Sequence, residues 1–275
     1  MSIASLLKIV EDALVSAREH ALESIRSGWG LKIKGLGAYG DKSYGFDLAA
    51  ERAVIDVIND RLSNVAIISE ELGISGSKDP DYYVLIDPID GSRNASRGIP
   101  LFSTTIVISK SISSKDILVG GVIDHSNGDL YIGEKDGNVI AVGKKPSLTK
   151  TNSLSDAFLI VNTFSIRSEK YRRWGEMIIN RSYVSLFLGT TALEICYILS
   201  GRVDGYVCLG PHLRPLDFIA PIFLLKLSGG SYTILTEDGE VDEINLSAGK
   251  SFGVIATSNK ELFNEITKLR EESQS

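Results

Sequence analysis

The stretch Leu85-Ile-Asp87-Pro-Ile-Asp90-Gly-Ser-Arg-Asn94 holds the residue types best suited to chemistry. An apolar run over 82–86 leads into two aspartates three apart, so a strand there delivers Asp87 to the end of a sheet. Pro88 stiffens the turn. Gly91 lets the backbone approach a ligand closely, and a helix begun at Ser92 would aim free N–H groups at a phosphate. Upstream, the apolar run 65–69 ends in Glu70 and Glu71; downstream, Asp217 stands at the start of an apolar helical stretch. Each acid has an ordinary reading on its own: Asp217 as a helix cap, Glu70 as a solvated strand end, Asp87 and Asp90 as turn formers. Gathered in one place, they would repel one another unless cations lay between them. Hard oxygen ligands select Mg²⁺ or Mn²⁺ over zinc.

Other catalytic apparatus is scarce. His20, His125 and His212 form no metal-spaced pair, and neither Cys196 nor Cys208 begins a Cys-x5-Arg loop. There is no G-x-S-x-G elbow, so by elimination the nucleophile is water. Two glycine motifs are decoys. Gly35-Leu-Gly37-Ala-Tyr-Gly40 matches G-x-G-x-x-G, but that fingerprint needs a buried strand before it and a helix after it. Here Lys32-Ile-Lys34 precedes and a polar stretch follows. The near match to a P-loop fails because Asp41 intrudes before Lys42-Ser43 and would face the phosphates. The segment 32–46 reads as a mobile loop, either plain or one that folds over a metal-bound substrate and brings Asp41 or Lys42 with it.

These residues need a scaffold. Ile3, Leu6, Leu7, Val10, Leu14, Ala17, Ala21 and Ile25 recur at helical spacing and predict a helix over 3–26. A second helix is expected over 47–62, then strands at 65–69, 82–86, 103–109, 117–124 and 129–133, at least partly antiparallel given the Asn127-Gly128 turn. A polar stretch over 144–155 divides the chain into an N-terminal α+β subdomain, 1–146, carrying the metal site, and a C-terminal α/β subdomain, 147–275, completing it. The second half reads as strand 157–162, helices 168–180 and 190–200, strand 204–208, helix 217–227, strands 231–235 and 252–256, and helix 258–270. Only 270–275 reads as disordered. The 275 residues are 43% hydrophobic and 23% charged, as in ordinary globular proteins. A formal net charge of -6 disfavours nucleic acid as a partner. No run approaches the roughly 20 apolar residues of a membrane helix, and residues 1–15 lack a signal-peptide layout. The expected location is cytoplasmic, with both cysteines as buried thiols.

At Glu70-Glu71, Asp87-Pro-Ile-Asp90-Gly-Ser92, Gly189-Thr-Thr-Ala-Leu193 and Asp217 with Ala220, the chain resembles the inositol monophosphatase and fructose-1,6-bisphosphatase superfamily, particularly archaeal members that accept both substrates. The resemblance covers essentially the whole length. It implies a layered α/β/α/β/α sandwich, commonly a homodimer, and a Mg²⁺-dependent phosphomonoesterase acting on inositol 1-phosphate or fructose 1,6-bisphosphate. It implies that Glu70, Asp87 and the Ile89 carbonyl hold one ion, that Asp87, Asp90 and Asp217 hold a second, and that Glu70 helps recruit a third. Asp47 and Ser92 would orient the attacking water. The Gly91 and Ser92 amides, with Asp90, would meet the substrate.

Two departures bear on substrate. Leu216-Asp217-Phe-Ile-Ala220-Pro221 stands where the family usually has Trp-Asp-x-Ala-Ala-Gly, which keeps the ligand and changes the helix. Residues 207–214 contain no acid, where inositol-selective animal members place a glutamate for substrate hydroxyls. Residues 183–189 contain no arginine, where bisphosphate-accepting members often have one. Arg93, Arg202 and Arg214 are candidate contacts for a second phosphate. A 3′-phosphoadenosine 5′-phosphate phosphatase and a non-catalytic regulatory protein are the alternatives. The intact Asp47, Glu70, Asp87, Asp90, Ser92 and Asp217 speak against the latter.

Overall fold

A computed structural model describes residues 1–247 and 249–274. In chain order the elements are α1 (Ile3–Arg26), β1 (Ile33–Leu36), β2 (Lys42–Tyr44), α2 (Gly45–Arg61), β3 (Val65–Ser69), β4 (Gly73–Gly76), β5 (Tyr82–Asp90), α3 (Ser92–Ala95), β6 (Ser103–Ser109), β7 (Ile117–Asp124), β8 (Leu130–Glu134) and β9 (Val139–Ala141). The second half adds β10 (Phe158–Val161), α4 (Glu169–Arg181), β11 (Val184–Leu186), α5 (Thr191–Leu199), β12 (Gly205–Leu213), α6 (Pro215–Leu227), β13 (Ser231–Leu235), β14 (Glu240–Val241), β15 (Phe252–Thr257) and α7 (Lys260–Gln274).

The strands form a seven-stranded sheet, ordered β4-β3-β5-β6-β7-β8-β9, a six-stranded sheet, ordered β11-β10-β12-β15-β13-β14, and the small hairpin β1-β2. The seven-stranded sheet is antiparallel except where β3 runs parallel to β5. In the six-stranded sheet β10 is parallel to both β11 and β12, and the remaining pairs are antiparallel.

Both large sheets are covered on both faces, so their central strands read as continuous apolar runs. The period-two alternation then sorts side chains between layers. On β5, Val84 and Ile86 join the core under α1 and α2, whereas Leu85 faces α5 and α6. On β12, Tyr206 and Cys208 face α5 and α6, whereas Val207 and Leu209 face α4 and α7. The result is a layered α/β/α/β/α sandwich, with α5 and α6 as its central helical layer. The central cluster draws on residues on both sides of position 146. Two adjacent glycines in β7 allow the flanking helices to approach. A Cβ on Gly121 would stand 2.7 Å from Leu14 Cδ1 of α1, and one on Gly120 would stand 3.1 Å from Phe223 of α6.

Several elements differ from expectation. The segment 32–46, expected to be a mobile loop, is the antiparallel hairpin β1-β2, and α2 starts at Gly45 rather than Asp47. Gly37 to Gly40 form its turn and β2 follows, so no helix succeeds the G-x-G-x-x-G letters. β5 and β12 extend four and five residues beyond their expected ends, because Asp87 and Asp90 still pair with β6 and Leu213 still pairs with β15. The edge strands β4, β9, β11 and β14 are only two to four residues long, too short for a period to show in the sequence. The tail expected to be disordered is helical as far as Gln274, and the last residue of that expectation, Ser275, lies outside the described residues.

Candidate active site

The chain turns at the carboxyl end of β5 through a β-bulge. Asp87 pairs with Thr105 and Asp90 with Ser103, so three steps on β5 match two on β6. A bulge re-aims side chains, and here both aspartates come to the same edge. Gly91 follows at φ 93°, a left-handed conformation that glycine adopts without cost, and the turn α3 begins at Ser92.

Asp47 and Asp217 occupy equivalent places on two different helices. Each is the third residue of its helix, and its Oδ2 accepts the N–H of the residue before the helix: Tyr44 at 2.7 Å and Arg214 at 2.7 Å. An acid at this position satisfies an amide that the helix itself leaves open, and its second oxygen is free to face the site. Asp47 Oδ1 accepts a hydrogen bond from Ser92 Oγ at 2.8 Å, and Ser92 Oγ is also 2.8 Å from the Ile89 carbonyl. Asp90 commits only Oδ2, which accepts from Thr190 Oγ1 at 2.7 Å and the Ala192 N–H at 2.8 Å.

The acids crowd together. Asp87 is 2% exposed, and its Oδ1 is buried with no hydrogen-bond partner among the described residues. Burial, then the charges of Glu70, Asp90 and Asp217, hold its carboxyl well above the usual carboxylate range. Burial likewise pushes Asp90 and Asp217 up to about 7 and Asp47 up to about 8. A buried carboxyl takes up a proton when no cation balances its charge.

One cation does enter the cluster. Arg214 Nη2 stands 2.5 Å from Glu70 Oε1 and 3.5 Å from Asp217 Oδ1, and Nη1 stands 3.1 Å from Asp41 Oδ2. Tyr39 lies under the guanidinium, 5.3 Å from ring centroid to Cζ. The hairpin turn is docked by Ala38 N–H, which reaches the carbonyls of Glu70 at 3.0 Å and Glu71 at 3.1 Å. Among the described residues no three His, Cys, Asp or Glu side chains are grouped closely enough to hold an ion as they stand. The donor chemistry still fits Mg²⁺. All the donors are carboxylate or carbonyl oxygens, Asp87 offers an orphaned buried oxygen, and Asp90 keeps Oδ1 uncommitted.

The candidate phosphate contacts separate. Arg93 is exposed immediately after Ser92. Arg214 is engaged by the acids. Arg202 makes its contacts elsewhere, with Asp129 at 2.6 Å and the Tyr131 hydroxyl at 3.3 Å.

Two features carry no functional role legible in the sequence, and a third is legible only in part. Glu194 is buried and accepts the N–H groups of Leu188 at 2.7 Å and Gly189 at 2.8 Å, shaping the loop that presents Thr190 to Asp90. The run Gly189-Thr-Thr-Ala-Leu193 marks the place but not the role. Thr104 Oγ1 donates to the Pro88 carbonyl at 2.6 Å and lies 2.7 Å from His125 Nε2, a strut behind the Asp87–Asp90 turn. With its one hydrogen given to Pro88, Thr104 accepts from His125, which fixes that ring as the Nε2–H tautomer. Nothing in the spacing of Thr104 and His125 signals this contact. The sequence marks Arg214 only as a candidate substrate contact, and its place among the acids depends on the hairpin and α6 meeting in space.

The sequence profile of the inositol monophosphatase family matches residues 10–275. A Methanothermobacter thermautotrophicus protein named fructose-1,6-bisphosphatase/inositol-1-monophosphatase is 29% identical over 249 residues, covering 86% of each chain. A Methanococcus maripaludis protein named bifunctional NADP phosphatase/NAD kinase is 28% identical over 257 residues, covering 85% of this chain, which spans only 44% of that longer protein. Among solved structures, the extragenic suppressor protein SuhB from Bartonella henselae superposes with a TM-score of 0.81 at 18% identity, covering 98% of this chain and 99% of that one. That likeness speaks for the fold. Profile and relatives together place the chain, by sequence, in the inositol monophosphatase family, and it is a phosphatase.

Proposed function

We propose that the protein is a Mg²⁺-dependent phosphomonoesterase, with Mn²⁺ as an alternative ion, that hydrolyses a small phosphorylated sugar or polyol with water as nucleophile. The observation that carries this reading is the buried, partnerless Asp87 Oδ1 among Glu70, Asp90 and Asp217, beside the hydrogen-bonded pair Asp47–Ser92. Glu70, Asp87, Asp90, Asp217 and the Ile89 carbonyl would hold two or three ions. Ions bound there would lower the pKa of a water and neutralise charge on the phosphoryl and leaving oxygens.

The chain's own groups do the positioning, which is most of what phosphoryl transfer asks of a protein. Ser92 and Asp47 orient the attacking water, with Asp47 Oδ1 as acceptor. The Gly91 and Ser92 amides face the phosphoryl group, and Arg93 stands ready for substrate charge. Thr190 and Ala192 hold one oxygen of Asp90, which directs the other inward.

Inositol 1-phosphate and fructose 1,6-bisphosphate are the first substrates to test. Phosphate release from each is measured with Mg²⁺ and with EDTA; no metal-dependent release from these or any other monoester sinks the reading. No described helix is long and apolar enough to cross a membrane. A cytoplasmic homodimer without a nucleic-acid partner is the assembly we propose, and sedimentation velocity checks its stoichiometry.

A further inference from the structure

Glu51 lies one helical turn beyond Asp47, on the same face of α2. Both acids are buried: Glu51 is 3% exposed and Asp47 1%. Asp47 meets Ser92, whereas Glu51 meets the end of β3. Its Oε1 accepts from the Ser69 hydroxyl and, at 3.2 Å, from the Leu72 N–H. Ser69 is the last residue of β3 and pairs with Gly73 of β4, so residues 70–72 form the three-residue turn of an antiparallel hairpin. One carboxylate oxygen therefore ties both feet of the turn that carries Glu70.

Apolar packing does not hold that turn. β4 is an edge strand, and Leu72 and Ile74 are 58% and 64% exposed. The Glu70 N–H reaches the Ile86 carbonyl at 3.3 Å, a long hydrogen bond. From the outside the turn is a platform for the β1-β2 hairpin, which docks on it through the Ala38 N–H. The approach is close enough that a Cβ on Gly37 would stand 3.1 Å from the Glu70 carbonyl oxygen and 3.1 Å from Glu71 Oε2. Hydrogen bonds thus set where Glu70 stands, and Glu51 supplies two of them from a single oxygen.

Resting on the assignment of Glu70 to the ions made above, we infer that Glu51 is a positioning residue. It fixes the 70–72 turn relative to Asp47, so one helix face places both the acceptor for the attacking water and the first acid of the metal cluster. It acts through Ser69 and Leu72 rather than by touching an ion.

Mg²⁺ binding, measured by calorimetry without substrate, tests this. Glu51→Ala strands the Ser69 hydroxyl and the Leu72 N–H and should raise Kd roughly tenfold to a hundredfold, the usual cost of losing the support behind a metal ligand. Glu51→Gln keeps an acceptor for both and should bind at least about fivefold more tightly than Glu51→Ala. Both changes remove the charge, so the difference between them reports the hydrogen bonds and not the field at Glu70. Ile178→Val, in the apolar cluster beneath α4 and α7, destabilises without touching the turn and should leave Kd unchanged. Equal Kd values for Glu51→Ala and Glu51→Gln overturn the inference. Ser69→Ala removes one of the two ties and decides the matter should Glu51→Ala not fold. A Kd raised about threefold or more then supports the inference, and one within about twofold overturns it.

Hydrogen exchange in EDTA reads the turn without the metal. Relative to the core amides of β7, the Glu70 and Ala38 amides should lose protection roughly tenfold in Glu51→Ala and keep it in Glu51→Gln. This arm separates the two readings. A chain that binds neither Mg²⁺ nor Mn²⁺ counts against the metal-dependent phosphatase, while lost protection at Glu70 and Ala38 still supports the hold of Glu51 on the turn. Unchanged protection at both amides overturns that hold even where Mg²⁺ binds.

Discussion

Glu194 allows a quantitative test of how the loop before α5 is built. Its side chain is fully buried; Oε1 accepts two backbone N–H groups and Oε2 has no partner among the described residues. Glu194→Ala leaves the Leu188 and Gly189 amides unpaired, at about 1–3 kcal/mol each, so a loss of roughly 2–6 kcal/mol is expected. Glu194→Gln keeps an acceptor for both and should cost less. The two variants also differ in pH response. Burial raises the Glu194 carboxyl from 4.5 to about 7. The folded state therefore holds the proton more tightly than the unfolded chain. This contribution to stability is fully present below about 4.5 and is lost as pH rises through about 7. Integrated over that window it amounts to about 3 kcal/mol. Glu194→Gln cannot titrate, so its stability relative to the unsubstituted protein should improve by about 2.5 kcal/mol between pH 5 and pH 8. Urea unfolding in EDTA at pH 5, 6, 7 and 8, followed by tryptophan fluorescence, measures this. Parallel pH curves for the two proteins would refute a raised Glu194 pKa, and a Glu194→Ala loss below about 1 kcal/mol would refute its hold on the loop.

Three further outcomes follow from the site. Asp87→Asn should cut kcat about a hundredfold or more, because it removes an oxygen assigned to two ions; it should also raise the melting temperature of the metal-free protein at pH 8 by removing a crowded buried charge. Arg214→Gln should lower that melting temperature at pH 8 more than at pH 5, since the acids it balances shed their protons as pH rises, and added Mg²⁺ should recover most of the loss. Thr104→Val should destabilise by about 1–3 kcal/mol through the stranded Pro88 carbonyl and His125 N–H and weaken Mg²⁺ activation in a titration, while Thr104→Ser restores both.

The acids are legible in the sequence because each adjoins an apolar run, and an apolar run bounded by a charge marks the edge of a buried element. That pattern alone singles out Asp87, Asp90, Glu70 and Asp217. It does not show that Asp47 and Asp217 are both third residues of their helices, since helix starts shift by a residue or two when a cap is formed by backbone and side chain together. The hairpin β1-β2 is hidden for a different reason. β1 is exposed along its whole length, and its pairing follows from backbone hydrogen bonds and from docking of the turn on Glu70 and Glu71. Thr104 and His125 act through partners 16 to 21 residues away. Such contacts leave no local spacing to read.

The guanidinium of Arg214 lends the acids a resident positive charge. Many small metalloproteins are unfolded until their ion arrives, because nothing else offsets the ligands' repulsion. This chain carries its own offset, so it can complete its fold while still empty. Chelation should then silence the protein without unravelling it, and returning the ion should revive it. Loading becomes a late, repeatable event, separate from the birth of the structure.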